Sequence, residues 1–290
     1  MTDYKKAVLM IILGGICLST LGIGTRMMQT AEGLQIVFYR AVGLAIFSTC
    51  CLAWSYKGNI FLAFKESGWV GFVAGLFFSI ASVTVVLALI HTTVANAMFV
   101  ISLAPLFTAV FAWLILAERV TLHTSIAIFV AILGVAIIVS GALSTQGMVG
   151  IVYAFLMAIF YALFNVSLRV GKDVNMIPAM CWSSYTLIIF LGLYLPSLSV
   201  PLHDIAIALS LGFFQIGLGA ILLIAGSKHV PAAQLALLAM LEVVFSPVWV
   251  WIGVGETPSI QTMLGGIIIM LAVAYQAITS ETNKRTEALP

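Results

Sequence analysis

Ten blocks of predominantly apolar residues, most of them about 20 residues long, constrain this chain more than any other feature. They fall at about 6–27, 34–55, 68–90, 94–117, 122–141, 147–168, 177–196, 204–226, 231–253 and 259–279. A helix of about 20 residues crosses a hydrocarbon core roughly 30 Å thick. In lipid, only helices and closed barrels satisfy every backbone polar group. Composition points the same way: 63% of residues are hydrophobic and 8% charged, against about 25% charged in a soluble domain. A soluble fold would have too little polar surface to cover so large a core. The predicted fold class is therefore an all-α membrane protein with ten transmembrane helices. Lys5 and Lys6 before the first block resemble the start of a signal peptide. However, the apolar run continues to Thr25–Arg26 with no A-x-A cleavage site, so it is read as a retained first helix.

The breaks between blocks carry turn and charge residues, as in Lys57-Gly58-Asn59, Gly171-Lys172-Asp173 and Lys228-His229-Val230-Pro231. Ten spans put both termini and the even-numbered loops on one side. That side receives Lys5, Lys6, Lys57, Lys65, Arg119, Arg169, Lys172, Lys228, Lys284 and Arg285, whereas the other receives Arg26 alone. Lys and Arg accumulate in cytoplasmic loops, so both termini are expected in the cytoplasm, as for a bacterial-type inner membrane protein. Arg40 lies within a span and takes no part in this balance.

Several function classes are disfavoured. A net charge of +2 without a basic run gives no nucleic-acid surface. Cys17, Cys50, Cys51 and Cys181 sit inside apolar blocks, with no metal or redox spacing. His91, His123, His203 and His229 lie near loops, also without metal spacing. HExxH, GxSxG and Walker motifs are absent, so the sequence favours neither a membrane-embedded enzyme nor an ATP-driven pump. No carbonyl-rich filter segment suggests a channel. No cofactor or metal is expected.

The chain is internally repetitive. Residues 94–120 read VANAMFVISLAPLFTAVFAWLILAERV and residues 232–258 read AAQLALLAMLEVVFSPVWVWIGVGETP. Aligned without gaps, Asn96 meets Gln234, Trp113 meets Trp251 and Glu118 meets Glu256, with Pro105 and Pro247 displaced by one helical turn. The predicted organisation is a single membrane domain of two five-helix repeats, 1–141 and 142–290, the latter ending in a short cytoplasmic tail. An odd repeat length inverts the second copy in the membrane, as in many secondary transporters.

The stretches Leu103-A-P-L-F-T-A-V-F-A-W-L-I-L-A-Glu118-Arg119 and Leu241-E-V-V-F-S-P-V-W-V-W-I-G-V-G-Glu256 resemble the paired signatures of the EamA family, in the drug/metabolite transporter superfamily. The resemblance covers nearly the whole chain. It implies a secondary transporter of small metabolites, with amino-acid export among the family's activities and nucleotide sugars or organic cations and drugs among its relatives' substrates. One departure is that Val243, not proline, follows Glu242.

Glu242 is the sharpest candidate for substrate or proton binding, because an ionisable group at membrane depth costs at least about 2.5 kcal/mol. Helical spacing places Ser246 and Trp249 on its face. Arg40 offers a fixed cation for a substrate carboxylate or a partner for Glu242, or else reaches back to headgroups. Asn96, Ser102 and Asn165 are polar at depth and serve either substrate or interhelical hydrogen bonds, and Tyr39 is an aromatic candidate. Pro105 and Pro247 are expected to interrupt their helices beside the site. Glu118 and Glu256, acids at helix C-termini, run against the dipole and are read as gating elements that pair with cations or cap a neighbour. One charge of each sign favours an amphoteric solute. The protein is expected to act as a monomer or homodimer, with proton coupling an open possibility. The charge asymmetry carries its own test: green fluorescent protein fused after Pro290 should fluoresce in bacterial cells, and alkaline phosphatase fused there should stay inactive. The opposite pattern would reverse the orientation.

Overall fold

The computed structural model describes residues 3–117, 122–142, 147–171, 174–227, 238 and 241–287. The helices are α1 (Asp3–Met27), α2 (Gly33–Ser55), α3 (Ile60–His91), α4 (Val94–Ile101), α5 (Ala104–Leu116), α6 (Leu122–Ala142), α7 (Met148–Val170), α8 (Ile177–Tyr194), α9 (Leu202–Ser210), α10 (Gly219–Ser227), α11 (Leu241–Val254) and α12 (Ile260–Glu287). A π-helical segment, Leu211–Leu218, joins α9 to α10. Among the described residues there is no strand. Eight stretches are long and apolar enough to cross a membrane, with α4–α5 and α9–α10 each forming one of them. Leu241–Val254 and Ile260–Tyr275 are shorter apolar helices, so the architecture fits the ten expected spans.

The departures from regular helix follow local chemistry. In α3, the expected span 68–90 extends back to Ile60 across a kink at Gly68, whose φ of 51° suits a residue without Cβ. The span 94–116 breaks at Ser102–Leu103, and Pro105 opens α5 in its first turn, where a missing N–H costs nothing. Pro247 instead lies inside an uninterrupted α11. The expected pair of broken helices is therefore corrected to one break, in the first half. Proline at 247 removes a backbone donor, but the flanking turns keep the helix continuous.

Packing between halves is reciprocal. α3 lies on α7, and α1 lies on α10; α3 also packs on α8, and α2 on α9 and the π segment. α1 packs on α11, and α4 with α5 packs on α7. Among the other interfaces, α2 with α8, α6 with α12 and α4 with α11 pair equivalent spans of the two halves. Exchanging the first five spans for the last five thus maps each of these contacts onto another or onto itself. Large apolar side chains such as Trp54, Trp69, Leu193 and Ile260 point outward, as lipid-facing residues do.

The closest backbone approach joins α2 to the π segment. A Cβ at Gly43 would collide with the Leu209 carbonyl oxygen, and one at Gly212 with the Arg40 carbonyl oxygen. Gly212→Ala should therefore separate α2 from the π segment and lower thermal stability by about 1–3 kcal/mol, the usual cost of overpacking. Gly192→Ala, whose added methyl would meet Phe38 at an ordinary 3.5 Å, is the control and should unfold near the wild-type temperature.

Candidate substrate-binding site

That glycine contact fixes the position of Arg40, which is 3% exposed. Its Nη1 donates to Ser82 Oγ on α3 at 3.0 Å. Its Nη2 donates to Gln215 Oε1 on the π segment at 3.4 Å. Gln215 in turn donates through Nε2 to the Leu18 carbonyl of α1 at 3.1 Å, which orients its amide. The Arg40 Nε–H has no acceptor, and among the described residues no carboxylate reaches ion-pair distance. The guanidinium is thus held inside the bundle by neutral groups from two other spans, and it does not snorkel to the headgroups.

Glu242 lies in the first turn of α11, beside the middle of α1. A Cβ on Gly15 would approach Glu242 N at 4.0 Å. Among the described residues it forms no ion pair with Arg40. Glu242 and Tyr161 of α7 are each half-buried. Tyr161 continues into an aromatic cluster with Phe78 and Phe164, at centroid distances of 6.5 and 6.0 Å. Cation, carboxyl and aromatic surface come from α2, α11, α3 and α7, two spans from each half.

The remaining candidates scatter. Trp249 donates to Ser19 Oγ of α1 at 2.8 Å and stacks on Phe245. Ser246 is fully buried opposite Gly22 of α1, with Oγ unpartnered among the described residues. Asn96 sits in the first turn of α4, donating to Thr92 Oγ1 and accepting from Thr262 Oγ1. Ser102 donates to the carbonyl of Phe99 at 2.6 Å, within the helix break. Tyr39 donates to the Leu198 carbonyl at 2.7 Å, tying α2 to the α8–α9 connection. Asn165 is half-buried on α7. Glu118 lies outside the described residues, as does Gln234, the repeat partner of Asn96.

The end of the bundle away from the termini is closed by charge. Arg26, at the end of α1, donates through Nε to Glu256 Oε2 at 2.7 Å and through Nη2 to the Thr92 carbonyl at 2.8 Å. It also bonds the Leu89 carbonyl, the last turn of α3. The other Glu256 oxygen accepts the Val94 N–H at 2.6 Å. Glu256 therefore meets the positive end of the α4 dipole, which explains an acid that looked misplaced at its own helix C-terminus. Nearby, the buried Asp204 of α9 accepts the N–H groups of Gln29, Thr30 and Ala31. Both clamps join the first half of the chain to the second.

Gln215, Ser82, Ser19, Arg26 and Asp204 were absent from the sequence candidates. Gln215 alone carried a signal, as an amide in mid-span. The clamp makes a prediction. Glu256→Ala loses both the ion pair and the cap of α4, and should cost about 1–3 kcal/mol. Glu256→Gln keeps a carbonyl acceptor for Val94 N–H and should cost less. Equal melting temperatures for the two variants would remove the capping role.

Comparison with known proteins agrees with this architecture. The profile of the EamA-like transporter family matches residues 5–140 and again 148–276. An uncharacterized transporter of Clostridium kluyveri is 23% identical, with 98% of this chain and 96% of that protein aligned. The pseudopaline exporter CntI of Pseudomonas aeruginosa is also 23% identical, over 92% of this chain and 94% of its own length. A solved crystal structure superposes with a TM-score of 0.65 at 16% identity, covering 95% of this chain and 98% of the other, which shows the shared fold. The repeated family match, spanning both halves of a ten-helix bundle, identifies the chain as a multi-pass membrane transporter, not an enzyme, belonging to the EamA-like transporter family.

Proposed function

We propose that this transporter is a secondary exporter of amphoteric solutes, amino acids or close relatives, working by alternating access. One observation carries the reading: the buried Arg40 has an unpartnered Nε–H and no anionic partner among the described residues, and a half-buried carboxyl, Glu242, belongs to the same bundle. A solute bearing both a carboxylate and an amine neutralises the two groups together. Export is supported by the related pseudopaline exporter. Alternating access is supported by the reciprocal packing of the two halves and by their odd number of spans, which inverts the second against the first. In this reading the Arg26–Glu256 clamp is a gate at the end away from the termini. Pro105 and the break at Ser102–Leu103 flex beside it. The termini lie in the cytoplasm of a bacterial inner membrane.

A thermal-shift screen of the purified protein against amino acids, nucleotide sugars and quaternary amines tests this. An amino acid should stabilise by about 2.7 kcal/mol at a hundred times its Kd. That shift should vanish in Arg40→Ala and Glu242→Gln. Stabilisation by quaternary amines alone, retained in Arg40→Ala, would favour a cation transporter instead. Stabilisation by nucleotide sugars would sink the amino-acid reading. Proton coupling has a separate check in reconstituted vesicles: transport that varies with pH in the wild type should become flat in Glu242→Gln. A wild-type rate independent of pH removes the proton role.

A further inference from the structure

We infer that Gln215 and Ser82 are the specificity-determining residues of this site: as neutral partners they hold Arg40 without neutralising it, reserving its charge for a carboxylate on the solute. The inference rests on the amphoteric-solute reading above and adds which residues enforce it. A chain that needed only to tie α2 to its neighbours would place an acid opposite a buried arginine, because charge-assisted pairs are the stronger ones. Here the two partners within hydrogen-bond distance are a hydroxyl and an amide, at 3.0 and 3.4 Å.

The amide orientation is fixed. The Leu18 carbonyl can only accept, so the Nε2 of Gln215 faces α1 and Oε1 faces Arg40. Two directions around the guanidinium are thus filled by neutral acceptors, while the Nε–H is left without one. An unpartnered donor on a residue 3% exposed is costly, and an oxyanion supplies the missing acceptor and the missing charge together. Gln215 also sits on the π-helical segment. Such segments are uncommon and occur often at functional sites. Among the described residues no acid, Glu242 included, lies within ion-pair distance of Arg40, which leaves the Glu242 carboxyl for the solute's amine.

The test uses the full-length protein in detergent, with three probes: the amino acid giving the largest wild-type shift, its amide (cation only) and its N-acetyl derivative (anion only). Gln215→Glu puts a carboxylate beside Arg40 with little change of shape. It should weaken the amino acid and the N-acetyl derivative by about tenfold or more, with the amide bound as well as before or better. Ser82→Asp supplies the same charge from α3 and should give the same inversion, so it decides the matter if the 215 variant does not fold. Gln215→Met keeps the site neutral and should keep the preference for carboxylates. Wild-type binding abolished by Arg40→Ala but unchanged in both acidic variants would overturn the role of Gln215 and Ser82 while leaving the proposed function standing. Equal losses in Gln215→Met and Gln215→Glu would reduce Gln215 to a packing role. Absence of any amino-acid shift in the wild type would overturn this inference and the proposed function together.

Discussion

Burying the Arg40 guanidinium without a counter-ion is the constraint around which the bundle is organised. An arginine at bilayer depth costs at least about 2.5 kcal/mol on insertion scales, so the surrounding spans must supply hydrogen bonds. Ser82 and Gln215 do so from α3 and the π segment. Gln215 is itself anchored to α1 through the Leu18 carbonyl. The Arg40–Gln215 bond needs α2 and the π segment close together. Gly43 and Gly212 remove the Cβ atoms that would hold them apart. The charge, its acceptors and the glycine contact are therefore one device.

The charged residues divide by position. At the end away from the termini, Arg26, Glu256 and Asp204 are extensively hydrogen-bonded, to each other or to backbone groups at helix ends and in the α1–α2 turn. In the middle, Arg40 and Glu242 form no ion pair among the described residues. Satisfied charges hold elements together, whereas the proposed site keeps its cation and its carboxyl unpaired among the described residues. The site draws on both halves, and so do the clamps. Relative movement of the halves would therefore change access and closure together, which is the mechanical requirement of a transporter built from two repeats.

Much of this was legible in the residues. The length and spacing of the apolar blocks specify the helices, because a bilayer leaves no other way to satisfy the backbone. The matched Trp113/Trp251 and Glu118/Glu256 pairs reveal the repeat. Arg40 and Glu242 stand out because charge at depth is costly whatever the surroundings. Sequence also anticipated that Glu256 would pair or cap, and it does both. It did not separate the two prolines. Pro105 opens a new helix and Pro247 rides inside one, a difference set by packing around each turn.

By itself, then, the sequence determined the fold class, the two-part organisation and the two charged residues of the candidate site, since each follows from the solvent the chain must inhabit. Only the tertiary structure decided who neighbours whom. Gln215 is 175 residues from Arg40, and Glu256 is 230 from Arg26. Nothing in local periodicity encodes pairings that depend on how ten helices rotate and cross. The same holds for what Arg40 lacks: the absence of a counter-ion among the described residues is a property of the assembled bundle.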